Sequence, residues 1–167
     1  IVSQILFGEH FEILEHTKQW SKVKLHFDDY QGWIDSKQYQ IISDESYETL
    51  SNDAIILNAD LVEYISAPNA VLIPITLGAS LSFLNHSEIN TLNYEFEGLK
   101  ISGVKPKSDL ISTAYMYLNT PYLWGGKSPF GIDCSGFTQM VYKLNGYKLL
   151  RDASQQASQG DVLSFIE

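Results

Sequence analysis

One sulfur nucleophile is available to this chain. The only cysteine among 167 residues, Cys134, lies in "GIDCSGF" (131–137), between Asp133 and Ser135. An ionised thiol attacks acyl carbons readily once something holds and orients it. The residues downstream suggest how that happens. Phe137, Met140, Val141 and Leu144 fall at i, i+3, i+4 and i+7, the apolar stripe of a helix, and Asn145–Gly146 ends it. Asp133 then sits near the N-cap and Cys134 in the first turn, where unpaired N–H groups and the positive end of the helix dipole favour a thiolate. Asp133 works the other way, because an adjacent anion disfavours that charge. A lone cysteine is often an inert small hydrophobe. Here the polar, loop-like flanks favour a reactive one.

The elements that must position this thiol divide the chain into three stretches. Residues 1–42 read as strands: Val23, Leu25 and Phe27 alternate with Lys22, Lys24 and His26, and Phe11 and Ile13 share a side. Asp28, Asp29 and Gly32 supply a turn before Trp33 and Ile34, so a hairpin within a small barrel is expected. Residues 44–70 fit neither period. "AVLIPITLGASLSFL" and "NYEFEGLKIS" return to strand character, and 44–103 is read as a second small β unit. From 104 the pattern becomes helical. Ser108 is placed as the N-cap of a helix over about 109–119, with Leu110, Ala114, Tyr117 and Leu118 on its apolar face and Pro121 beyond it. A Gly- and Pro-rich loop, "TPYLWGGKSPFGID", leads to Cys134.

Composition narrows the partners. The chain is 44% hydrophobic and 13% aromatic, as expected for a globular protein, and its net charge of −9 repels phosphate backbones, so nucleic acid is not an expected partner. No apolar run approaches bilayer-crossing length, and no membrane span is expected. One cysteine excludes an intrachain disulfide. His10, His16, His26 and His86 lack the companion ligands of a metal site, and no cofactor is expected. The chain opens on Ile1, which suggests an upstream segment. Localisation stays open between the cytoplasm and export, and a monomer is the expected state.

Pro121-Tyr122, Trp124-Gly125-Gly126, Asp133-Cys134-Ser135-Gly136 and Arg151-Asp152-Ala153-Ser154-Gln155-Gln156 occur in order over about 106–167. Together they resemble the nucleophile region of the NlpC/p60 cysteine peptidases, bacterial cell-wall enzymes with a papain-like core. "ILFGEHFEILE", "WSKVKL" and "YQGWI" resemble the bacterial SH3-like modules that precede such domains, with the first strand absent. The resemblance implies an α+β multidomain chain: an SH3-like β-barrel unit (1–43), a diverged second one (44–103) and a truncated papain-like NlpC/p60 domain (104–167). The subgroup it resembles most is the γ-D-glutamyl-L-diamino acid endopeptidases, whose partners are peptidoglycan-derived peptides.

By that resemblance Cys134 is the nucleophile attacking the γ-D-glutamyl–diaminopimelate amide, and Tyr122 completes an oxyanion hole with the Cys134 N–H. Asp133 and Ser135 are implied to bind the D-glutamyl unit. Asp152 would face the free amino group of the stem peptide's L-Ala, as a carboxylate facing an ammonium should. Ser154 would add a hydroxyl, and Glu9 and Tyr30 from the SH3-like module would close the amino-group site. Trp124 is read as pocket architecture. The family's base is a histidine downstream of the cysteine, and none follows Cys134 here. The expectation is therefore of an enzyme cut at both ends. Two other readings are carried: a non-catalytic peptidoglycan-binding module with an inert peptidase remnant, and an acyltransferase using the same cysteine.

Overall fold

The structure, a computed structural model, describes residues 1–68 and 71–161. Its front part is an antiparallel meander of β1 (Phe11–His16), β2 (Trp20–Leu25) and β3 (Gln31–Asp35). Phe11 pairs with Leu25 and Ile13 with Val23, with an irregularity between Ile13 and Glu15. Ser21, Val23 and Leu25 are buried while Lys22 and Lys24 are only half-buried, so the period-two alternation puts one face of β2 in the core. The β2–β3 connection turns tightly at Asp29, whose φ is 58°.

Residues 44–103 are built from a helix and two ribbons. Helix α1 (Asp44–Asn52) starts at Ser43, whose hydroxyl accepts from the Ser46 N–H at 3.1 Å, and it carries Asp44 and Glu45 in its first turn. Strand β4 (Ile56–Asn58) pairs with β7 (Lys100–Ser102), and β5 (Val62–Ala67) with β6 (Val71–Thr76). A 3₁₀ turn at Ser82–Asn85 and the β5–β6 ribbon enclose one apolar cluster containing Ile65, Ile75, Leu81 and Phe83.

Helix α2 is shorter than the sequence predicts. It spans Asp109–Tyr115, after which the N–H groups of Met116, Tyr117 and Leu118 bond three residues back, and Asn119 takes the left-handed conformation (φ 66°). This tightening rotates Leu118 off the apolar stripe and into solvent, while Tyr117 is buried. Ser108 stands at its N-cap position as expected but makes no capping bond: its backbone is already helical, and its hydroxyl donates to Asp109 Oδ1 instead.

The short ribbon of β8 (Lys127–Ser128) and β9 (Gly131–Ile132) delivers the chain to α3 (Cys134–Leu144), and α4 (Ala153–Ala157) closes the described rear part. Met140, Val141 and Leu144 are buried as their spacing predicts, and Phe137 packs edge-on against Tyr117 with centroids 6.1 Å apart. Gly146 (φ 81°) ends α3 with its N–H on the Lys143 carbonyl. The core around α3 is not private to the rear stretch. Leu6 from the front and Leu57 and Leu77 from the middle join Ile132, Met140, Val141 and Leu144 in one cluster.

Candidate active site

The start of α3 explains why the glycine motif and the cysteine motif belong together. Asp133 is extended (φ −97°, ψ 174°) and caps the helix, its Oδ1 accepting from the Gly136 N–H at 2.6 Å. Its other oxygen accepts from the Gly125 N–H at 2.8 Å, which Gly125 presents from a left-handed conformation (φ 79°). The helix start lies so close to this loop that a Cβ on Gly136 would collide with the Gly126 carbonyl oxygen. Cys134 is the first helical residue and is exposed. Its N–H belongs to the first turn, where no intrahelical acceptor exists.

Beside that cap lies Arg151, buried to 1% exposure. Its Nη1 donates to Asp133 Oδ1 (3.1 Å) and to Ser135 Oγ (2.9 Å), its Nη2 to Asp133 Oδ2 (2.8 Å), and its Nε to Ser3 Oγ (3.0 Å). Burial pushes the Asp133 carboxyl up. The guanidinium and the two glycine N–H groups outweigh it and hold the group below the usual carboxylate range. Gln156 of α4 donates to the Ser135 carbonyl at 2.9 Å and to the Leu150 carbonyl at 2.9 Å, tying the 150–156 segment to the nucleophile helix.

Tyr122 is held by its backbone. It forms a parallel bridge with Ile132, the last residue of β9, while its neighbours exchange bonds with that residue: Ile132 N–H to the Pro121 carbonyl and Leu123 N–H to the Ile132 carbonyl, both 3.1 Å. Ile132 precedes Asp133 and Cys134, so the segment that carries Tyr122 runs alongside the strand that delivers the thiol. The Tyr122 ring is 67% exposed, as is Phe130, and Trp124 is 70% exposed.

The Asp152 carboxylate lies near enough to act on the Tyr30 hydroxyl, although the two come from opposite ends of the chain. Burial and the adjacent Asp152 carboxylate both make the Tyr30 hydroxyl a weaker acid. Asp152 is half-buried, and its N–H donates to Gln155 Oε1 at 3.0 Å. Ser154 is exposed on α4.

Three expectations need correction. Glu9 does not close an amino-group site. Its side chain is buried between Lys143 Nζ (2.6 Å) and Lys127 Nζ (3.3 Å), and its second oxygen accepts from the Leu6 N–H at 2.8 Å. Burial pushes the Glu9 carboxyl up, but the two ammonium groups outweigh it and hold it at about 2. Asp133 has both oxygens engaged by the Gly125 and Gly136 N–H groups and by Arg151. Ser135 directs its hydroxyl inward, between Asp133 Oδ1 and Arg151. Both build the cap, their side-chain oxygens turned toward the protein interior. The histidines have their ring partners elsewhere: His10 with Ser51, His16 with Ser21, His86 with Asp53, and His26 stacked on His10 at 4.5 Å. Among the described residues no histidine is hydrogen-bonded to the Cys134 thiol.

Sequence reasoning missed Arg151 as a site component, although it sits within a quoted motif, and missed Lys127 and Lys143 entirely. The signal for Arg151 was chemical: an Asp at a buried N-cap needs a counterion.

Residues 1–38 match the bacterial dipeptidyl-peptidase SH3 domain, and residues 119–165 match the NlpC/P60 family. A γ-D-glutamyl-L-lysine dipeptidyl-peptidase of Bacillus subtilis is 30% identical over 183 residues, covering 96% of this chain and 58% of that protein. The protein of the same name from Bacillus cereus is 26% identical, with 95% and 54% covered. The chain thus spans somewhat over half the length of these two curated relatives. A solved NlpC/P60 family protein from Bacillus cereus superposes with a TM-score of 0.78 at 24% identity, covering 98% of this chain and 61% of that one. That likeness establishes a shared fold. The chain joins a bacterial SH3 domain at its front to an NlpC/P60 family domain at its rear.

Proposed function

We propose that the protein is a cysteine peptidase that cleaves the bond between γ-D-glutamate and a diamino acid in peptidoglycan stem peptides. The observation that carries this reading is an exposed Cys134 at the first position of α3, behind a carboxylate cap locked by a buried arginine. Cys134 loses its thiol proton to a base and adds to the amide carbonyl. The resulting oxyanion takes hydrogen bonds from the Cys134 N–H and the Tyr122 hydroxyl. Collapse expels the diamino acid's amine, which takes a proton, and leaves a γ-glutamyl thioester. Water then hydrolyses the thioester, releasing the carboxylate and the free thiol. Tyr30 and Asp152 receive the peptide's terminal ammonium, with Ser154 at the rim. The relatives named for the γ-D-glutamyl-L-lysine bond support this substrate class.

The test is mass spectrometry of L-Ala-γ-D-Glu peptides ending in lysine or diaminopimelate, incubated with the full-length protein and its Cys134→Ala variant. Release of L-Ala-γ-D-Glu by the wild type alone is expected. Equal product from both proteins removes Cys134 as the nucleophile, and binding without product leaves the peptide-binding module as the better reading.

A further inference from the structure

The side chain of Gln139 is fully buried on the nucleophile helix, yet it touches two distant segments. Its Nε2 donates to Asp28 Oδ2 at 2.7 Å and to the Leu149 carbonyl at 3.0 Å. Among the described residues its Oε1 has no hydrogen-bond partner. A buried amide with an unmet acceptor costs stability that a Met or Leu of similar size would not. What Gln139 supplies in return is the pair of N–H bonds, and these reach the two sides of the Tyr30–Asp152 corner. On the front side, Asp28 is 3% exposed and uses its other oxygen to accept from the Tyr30 N–H at 3.1 Å, fixing the turn that presents Tyr30. On the rear side, Leu149 lies three residues before Asp152, in the stretch also held by Gln156 and Arg151.

We infer that Gln139 is a positioning residue: through Asp28 and the Leu149 carbonyl it sets the spacing between Tyr30 and Asp152, and thereby the selectivity for a peptide with a free terminal ammonium. This rests on the function proposed above, in which those two residues receive the ammonium. The specificity pocket is then set by the same helix that carries the thiol. Cys134 and Gln139 are five positions apart on α3, one facing solvent and the other the interior.

The experiment is calorimetric binding of L-Ala-γ-D-Glu-L-Lys and its N-acetyl form to the full-length protein in a Cys134→Ala background. Gln139→Met keeps the volume and removes both donors. It is expected to weaken the free-amine peptide about tenfold, the scale of one charge-assisted hydrogen bond, and to leave the N-acetyl form unchanged. Gln139→Glu sets a carboxylate against Asp28 and should act likewise. The double change Asp28→Asn with Gln139→Glu reverses donor and acceptor and should recover part of the loss. Equal weakening of both peptides, or no change in either, overturns the inference.

A wild type that binds both peptides equally refutes the ammonium reading instead. The positioning claim is then decided by hydrogen exchange. Faster exchange in Gln139→Met at both 28–30 and 149–152, with β1–β3 unchanged, supports it, and unchanged exchange overturns it. Should Gln139→Met not fold, the single and double changes carrying Gln139→Glu give the same comparison.

Discussion

Arg151 grips Asp133 with two parallel bonds, Nη1 to Oδ1 at 3.1 Å and Nη2 to Oδ2 at 2.8 Å, at the residue that caps the nucleophile helix. Both side chains are buried, so removing the cation strands a carboxylate in the interior. Arg151→Met should cost about 3–5 kcal/mol in urea unfolding, the range for breaking a buried pair from one side. Arg151→Lys keeps the charge but loses the fork, and should fall between wild type and Arg151→Met. Equal stability of all three proteins would show that the two glycine N–H groups alone satisfy Asp133.

Glu9 serves two lysines with one oxygen, which predicts an asymmetry. Glu9→Gln removes the carboxylate that both buried ammonium groups contact and should destabilise by about 3–5 kcal/mol. Lys127→Met leaves a one-to-one pair of Glu9 with Lys143 and should cost far less. Burial already pushes the Lys143 ammonium down, with Lys127 adding to it, and removing Lys127 relieves that repulsion. Chemical denaturation of the two variants reads the difference.

The same carboxylate predicts an acid limb. Its folded value of about 2 lies below the ordinary 4.5, so its contribution is complete above pH 4.5 and is lost as pH falls toward 2. A second limb comes from His10. Burial, and then the His26 ring stacked upon it, lower His10 from 6.5 to about 4. The unfolded chain therefore binds a proton between those values that the folded chain refuses, and stability falls as pH drops from 6.5 toward 4. Melting temperature followed across that window should decline in the wild type and flatten in His10→Asn.

Tyr122 offers the converse case, a side chain with little structural duty. Its ring is exposed, so Tyr122→Phe should melt within a degree or two of wild type. If its hydroxyl donates to the oxyanion, the rate of peptide release should fall by about 10²–10³-fold. An unchanged rate would return Tyr122 to the role of loop packing.

Helix α3 was legible because its information is local: an Asp cap, a 3–4 apolar spacing and a terminal Asn–Gly all lie within fourteen residues. Helix α1 was equally local but hid behind a weak apolar face, and Ser43 with Asp44 and Glu45 was its readable start. The 109–119 segment misled because Leu118 matches a helical period that the backbone abandons at Tyr115. Glu9 misled for a different reason. Its partners lie 118 and 134 positions away, and nothing near "FGEH" announces two buried lysines. Arg151 with Asp133 is intermediate, since both motifs were visible but their pairing is tertiary. Tyr30 and Asp152 were assigned to one site only through family resemblance, because the segments carrying them lie about 120 positions apart.

Lys143 also lies over the Phe27 ring, 5.0 Å from its centroid, so an α3 cation is enclosed on two sides by Phe27 and Glu9, which flank the strands of the front sheet. This makes the architecture resistant to recombination. A foreign SH3 module grafted ahead of this helix would have to bring its own equivalents of Glu9, Asp28 and Phe27, or leave two ammonium groups and an amide stranded at the seam. Successful chimeras of this chain should therefore be those whose junctions exchange the front module together with β8 and α3 as one cassette.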